Sequence, residues 1–173
     1  MIAPLALLYF VPTVMKGLQS FRSDRSIGGV KEVTNVDNLA TCVIKTRGRV
    51  HLTLSKIRSI RELFPKVKIN IGDDGMDDLG FEYIPRIENV KYLKLAFDAG
   101  MSVSRNALIA MVDTPYVWLL DDDFIVADKF AALHAIGMLE KGEADLVGFE
   151  FGDRSHEGEN AKSYAARLLE TPC

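Results

Sequence analysis

The sequence predicts an α/β fold in three layers, a mostly parallel sheet with helices on both faces. Three observations lead there. Between residues 40 and 151, apolar runs of strand length alternate with stretches of helical periodicity, the order that builds parallel sheets. The run Tyr116–Leu120 is apolar without alternation and follows Pro115, as expected of a strand buried on both faces. Acids gather where strands end, Asp73-Asp74 after one and Asp121-Asp122-Asp123 after another. In open α/β sheets the crevice at the carboxyl ends of the strands is where ligands bind.

Taken in order, Met1–Met15 is almost wholly apolar. As a helix it would span about 22 Å, short of the roughly 30 Å hydrocarbon core. Pro4 and Pro12 interrupt it, and its basic residues (Lys16, Arg22, Arg25) follow it, the wrong flank for a leader or an anchor. It is expected to pack on the domain or to be the stub of a longer chain, an uncleaved or trimmed membrane segment being the alternative. Residues 16–39, with Gly28-Gly29, read as a linker. Leu39–Ile44 is the first strand of the domain, which is expected over residues 40–151. Val50, Leu54, Ile57, Ile60 and Phe64 then make one helical face, stopped by Pro65. Val67, Ile69 and Ile71 alternate with polar residues as a second strand, and Val90–Leu95 is a third. A helix opens at Gly100, capped by Ser102 or Ser104, with Val103, Ala107, Leu108 and Met111 inward. After the central strand, a helix over about 128–139 turns Phe130, Leu133, Ile136 and Leu139 inward, and Leu146–Phe151 is the fifth strand. Residues 152–173 form a tail with a short helical pattern.

The chain has 173 residues, 48% hydrophobic and 26% charged, enough for one domain with a sizeable core and unlike a disordered chain. Residues 1–70 carry 12 Lys/Arg against 4 Asp/Glu, whereas residues 71–173 carry 9 against 20. A basic half and an acidic half suit an anionic ligand that brings a cation, although uneven surface charge explains the counts equally well. The basic residues are not interleaved with aromatics, so no nucleic-acid partner is expected. Cys42 reads as a core residue and Cys173 ends the chain; no zinc spacing is present. His51, His134 and His156 are far apart and receive no role.

Three adjacent carboxylates repel one another and are costly to bury unpaired. They must lie in water or around a cation. Asp121 and Asp123, two residues apart, can point the same way from an extended chain. Together they suit Mg²⁺ or Mn²⁺, with phosphate oxygens and waters completing the shell. The alternative is a solvated turn in which Asp123 or Asp128 caps the next helix.

The strand Cys42-Val-Ile-Lys-Thr46, the end Ile71-Gly-Asp-Asp74, Gly100-Met-Ser-Val-Ser-Arg-Asn106 and Val117-Trp-Leu-Leu-Asp-Asp-Asp-Phe124 occur in this order. In that combination the chain resembles the GT-A-type glycosyltransferases, in particular the inverting family-two-like enzymes, and among them the β-1,4-N-acetylgalactosaminyltransferases. The resemblance covers roughly residues 40–150 and implies the donor-binding half of a Rossmann-like nucleotide-diphospho-sugar transferase fold, truncated after the fifth strand. It implies transfer of a sugar, an N-acetylhexosamine in that subfamily, from a UDP-sugar to the hydroxyl of a glycan, glycolipid or glycoprotein. It also implies a Golgi or other secretory-pathway membrane; without it the chain would be placed in the cytoplasm.

By the same resemblance Asp73 accepts from the uracil ring, Thr46 and nearby backbone hold the base or ribose, and Arg47 belongs to the same nucleotide-sugar site. Arg105 and Asn106 order the Gly100 loop near the nucleotide. Asp121 faces the ribose, Asp122 is counted with it in the nucleotide-sugar site, and Asp121 and Asp123 hold the metal. The residues by themselves also allow a plain Asp-Gly turn at Asp74-Gly75 and a locally paired first helical turn at Arg105-Asn106. Lys45, Arg47 and Arg49 add positive charge beside a nucleoside-diphosphate leaving group. Inverting transfer further needs a carboxylate base, and no motif singles out Asp153, Glu157 or Glu159 for it. A non-catalytic nucleotide-sugar-binding scaffold is therefore the competing reading. A phosphohydrolase of the haloacid arrangement is disfavoured, because the first strand ends in Lys45-Thr46-Arg47 without an acid.

Overall fold

The computed structural model describes residues 8–12, 33–76, 81–123, 125–126, 129–149 and 163–166, with backbone alone for 8–12, 149 and 163–166. The strands are β1 (Leu8–Pro12), β2 (Ala40–Thr46), β3 (Lys68–Asp73), β4 (Val90–Lys94), β5 (Tyr116–Asp121), β6 (Leu146–Phe149) and β7 (Ser163–Ala166). The helices are α1 (Val50–Leu63), α2 (Gly100–Ile109) and α3 (Lys129–Glu140), with a 3₁₀ turn at Phe81–Arg86. The five strands expected from periodicity all form. One sheet in the order β4-β3-β2-β5-β1-β6-β7 holds every strand among the described residues. The four strands β4, β3, β2 and β5 are parallel. β1 runs antiparallel between β5 and β6, and β7 runs antiparallel to β6. Residues 8–12 of the apolar N-terminal stretch thus lie within the sheet. The rest of that stretch, the Gly28-Gly29 linker and most of the tail fall outside the described residues.

Strand pleating sends alternate side chains to opposite faces, and both faces are filled. Cys42 and Ile44 of β2, Ile69 and Ile71 of β3, and Trp118 and Leu120 of β5 meet Ile57 and Ile60 of α1 and Ala135 and Ile136 of α3. Val43 and Val117, on the opposite face, meet Leu108 of α2. The larger core is tied at its base by an edge-to-face contact between Phe64 and Trp118, with centroids 5.8 Å apart.

Three helical expectations change. The buried face of α1 is Thr53, Lys56, Ile57, Ser59 and Ile60, and Leu54 lies at its exposed edge, about 120° round the axis from Ile60 at 3.6 residues per turn. In α2 the inward pair is Ser104 and Leu108, one turn apart, and Val103 is exposed. In α3 Phe130 is 82% exposed while Ala132, Ala135, Ile136 and Leu139 are buried. A pure spacing of three drifts about 60° per step, so a stripe drawn from Leu139 back to Phe130 ends on the far side of the helix. Among the described residues no helix is long and apolar enough to cross a membrane.

Because Leu108 is the fully buried α2 side chain of the smaller core, with Ile109 only partly buried against it, Leu108→Ala is expected to cost about 2–5 kcal/mol. Val103→Ala is expected to stay within about 0.5 kcal/mol. Denaturant unfolding of the two variants measures the difference.

Candidate functional site at the strand tips

The parallel register lines up the carboxyl ends of four strands. Lys94 of β4 is opposite Asp73 of β3, Asp73 is opposite Thr46 of β2, and Lys45 of β2 is opposite Asp121 of β5. Asp73 and Asp121 are therefore separated by two strand spacings, roughly 10 Å. The acids that the sequence places at strand ends share one edge of the sheet, and each residue's place in the pleat decides which helix it faces.

Asp122 continues the side of β5 that carries Trp118 and Leu120, towards α1. It is 2% exposed and accepts hydrogen bonds from Thr46 Oγ1 at 2.5 Å and from Arg49, the residue preceding α1, at 2.5 Å. Burial pushes its carboxyl above the ordinary value, helped by the neighbouring charge of Asp123 and opposed by the Thr46 bond and Arg49. Asp121 lies on the side of Val117 and Leu119, towards α2, where Arg105 Nη2 donates to it at 2.7 Å. Asp123 follows in the turn, half exposed, with Arg49 Nη1 at 3.9 Å.

The two acids after β3 are sorted in the same way. Asp73, on the α1 side, is fully buried. Its Oδ1 accepts from the backbone N–H groups of Gly48 (2.7 Å) and Gly75 (3.0 Å), and its Oδ2 from Lys94 (2.9 Å) and the Tyr92 hydroxyl (3.3 Å). Four donors of the chain occupy the carboxylate that was expected to receive a uracil ring. Asp74, on the α2 side, pairs with Lys45 at 2.8 Å and accepts the Gly100 N–H at 3.1 Å. It thus supplies the N-terminal cap that was expected of Ser102 or Ser104. Ser104 instead donates to the Gly100 carbonyl within the helix. Burial raises the Asp74 carboxyl, but the Lys45 bond, the Gly100 N–H and the charges of Lys45 and Arg47 outweigh it, so the pKa falls below 3.8.

The loops carrying these groups touch through glycine. A Cβ on Gly75 would stand 2.5 Å from the Gly48 nitrogen, and Gly48 itself has φ +67°. Arg47 reaches over the exposed Phe97 ring, 5.2 Å from its centroid, and pairs with Asp98 at 3.0 Å. Asn106 is exposed on α2.

Sequence reasoning missed Lys56. It is 1% exposed on the inner face of α1, and burial pushes its ammonium down to about 8, while Cys42 and the aspartates 123, 121 and 122 pull it up. An inward lysine breaks the apolar stripe and leaves no signal of its own. Cys42 behaves as a core residue, burial pushing its thiol up to about 12 against the charges of Arg61 and Lys56. It offers no thiolate. Asp128 and the tail acids Asp153, Glu157 and Glu159 lie outside the described residues.

The donor set fits a hard divalent ion in one limited way. Asp121 and Asp123 are carboxylates open in part to solvent, each beside a guanidinium, so the position already attracts cations. Asp122 is turned into the protein, and among the described residues no three His, Cys, Asp or Glu side chains are grouped to hold a metal. A divalent ion at Asp121 and Asp123 would depend on ligand oxygens and water for the rest of its shell.

Comparison with known proteins follows the same lines. Residues 41–168 match the model of the family described as "Glycosyl transferase family 2". The chain is 34% identical to Beta-1,4 N-acetylgalactosaminyltransferase 2 of Mus musculus over 113 residues, 65% of this chain and 21% of that protein. It is 30% identical to Beta-1,4 N-acetylgalactosaminyltransferase 1 of Homo sapiens over 116 residues, 66% of this chain and 21% of that protein. It spans about a fifth of the length of the curated relatives it matches. Among solved structures, S. aureus TarS 1-349 superposes with a TM-score of 0.53 at 16% identity, covering 63% of this chain and 34% of that one. The mannosyltransferase PcManGT from Pyrobaculum calidifontis, in complex with GDP-Man and Mn2+, gives 0.50 at 16% identity, covering 58% and 32%. These likenesses show the GT-A fold.

Two outcomes are expected from the loop geometry. Asp74→Asn removes a buried charged acceptor and lowers stability at pH 7 by about 1.5–3 kcal/mol. A lowered folded-state pKa stabilises above the unfolded value and loses that contribution as pH falls through the folded one. The gap between wild type and Asp74→Asn therefore closes below about pH 4, as urea titrations from pH 7 to pH 3 would record. Gly75→Ala forces apart the backbones of two loops and lowers stability by about 1–3 kcal/mol, read from the melting temperature.

Proposed function

The chain belongs to glycosyl transferase family 2, and we propose that it carries the donor-binding part of an enzyme that moves a sugar from a UDP-sugar to an acceptor hydroxyl. The observation that carries this reading is the register of the four parallel strands, which gathers Thr46, Asp73 and the Asp121–Asp123 turn on one edge of the sheet. In this reading Asp121 and Asp123 hold Mg²⁺ or Mn²⁺, whose chemistry when bound is to neutralise the charge of the departing nucleoside diphosphate. Arg47, with Phe97 beneath it, Thr46 and the loop fixed by Asp73 form the base and ribose end. Asp73 acts there by holding Gly48 and Gly75 in place. Asp122 and Arg49 fix the turn that presents Asp121 and Asp123, and Arg105 and Asn106 approach from α2.

The likeness to N-acetylgalactosaminyltransferases supports an N-acetylhexosamine as the sugar, inversion at its anomeric carbon, and a glycan, glycolipid or glycoprotein acceptor. It also supports membrane association and a place in the Golgi or another secretory-pathway membrane. No residue is assigned as the base. A nucleotide-sugar-binding scaffold is the second reading, since none of the described residues is singled out as a base.

UDP with Mn²⁺ is expected to raise the melting temperature, because a ligand bound only by the native state stabilises it. Asp123→Ala is expected to remove the shift. No shift with UDP, GDP or CDP at millimolar metal ends the donor-site reading. UDP released from UDP-N-acetylhexosamine, with and without acceptors, separates enzyme from scaffold: turnover supports the first, and binding without turnover the second.

A further inference from the structure

Two of the three adjacent aspartates are each paired with a guanidinium, in different ways. Arg49 is bonded to Asp122, whose side chain is 1% exposed. Pulling them apart would strand a buried carboxylate, which is strongly unfavourable. Arg105 is bonded to Asp121 at 2.7 Å, and their side chains are 25% and 31% exposed. Both of its side chains keep contact with water, so it parts at a lower cost than the pair holding Asp122. Asp121 is also one of the two oxygen donors assigned to the divalent ion, and a guanidinium and a dication beside one carboxylate repel each other. Arginine's planar fork pairs with phosphate as well as with carboxylate.

We propose that Arg105 is a transferable counter-cation: it neutralises Asp121 while no donor is bound, and moves to a phosphate of the nucleoside diphosphate when a divalent ion takes Asp121. Arg49 stays with Asp122 throughout. The proposal rests on the donor-site reading and adds a thermodynamic consequence. A divalent ion arriving alone must displace Arg105 and leave it unpaired. Arriving with a diphosphate, it finds Arg105 a new partner. Metal and nucleotide therefore bind cooperatively, and Arg105 carries that coupling.

The test is Mn²⁺ binding to the full chain, followed by the electron paramagnetic resonance of free Mn²⁺, alone and with saturating UDP or GDP. In the wild type the nucleotide is expected to tighten Mn²⁺ by about fivefold or more, the range of ordinary coupling between sites. Arg105→Ala is expected to bind Mn²⁺ alone more tightly than the wild type does, with the nucleotide's enhancement reduced towards one. Arg105→Gln carries the same expectation should the alanine variant not fold, and Arg105→Lys is expected to keep part of the coupling. A loss of Mn²⁺ affinity by the same factor with and without nucleotide would mark Arg105 as merely structural and overturn the proposal. Unchanged cooperativity in Arg105→Ala would also overturn it while leaving the donor site standing. A wild type that binds neither Mn²⁺ nor nucleotide overturns both.

Discussion

The site depends on charge compensation at the tips of the parallel strands. Each acid brought to that edge meets a cation or a set of N–H donors supplied by a different element: Asp122 meets Arg49, Asp121 meets Arg105, Asp74 meets Lys45 and Asp73 meets Lys94. Without those partners, carboxylates gathered along one sheet edge would repel one another and, where buried, lack the solvation they lose on folding. The pairing follows from the two-residue period of the strand. The neighbours Asp121 and Asp122 at the end of β5 face opposite helices, and the same holds for Asp73 and Asp74 at the end of β3. A one-residue slip of β5 against β2 would send each acid to the wrong cation.

The pairing is buried along part of the edge and open to solvent along the rest. Asp73 and Asp74 lock the loops after β2, β3 and β4 to one another, through Gly48, Gly75 and the start of α2. Asp121 and Asp123 are held from one side and face solvent on the other. A preformed floor with a hydrated, cation-seeking rim suits a charged ligand that brings its own metal, since most of the ordering is complete before binding.

Much of the fold was legible in the sequence because its signals are local. Apolar runs bounded by Pro115 or by acids gave the parallel strands, and the order of strands and helices gave the α/β class. The acids could be placed at strand ends because ionised groups cannot continue a buried run. Their partners could not, since Asp74 capping α2 and Asp73 fastening two loops are matters of tertiary register. Lys56 gave no sign of its place because nothing local distinguishes an inward lysine from an outward one. Phe130 failed for a geometrical reason, as a spacing of three mimics a helical face only over about two turns. The strand at residues 8–12 was hidden because hydrophobicity alone does not separate a central strand from a short membrane segment.

That strand has a practical consequence. β1 lies between β5 and β6, hydrogen-bonded to both, so trimming the chain to the family-matched span would remove an interior plank of the sheet. One unsatisfied backbone ladder would then run along β5, the strand that carries the aspartates, and another along β6. Open edges of that kind template pairing between molecules, and a fragment beginning at residue 41 would tend to aggregate for a reason unrelated to its chemistry.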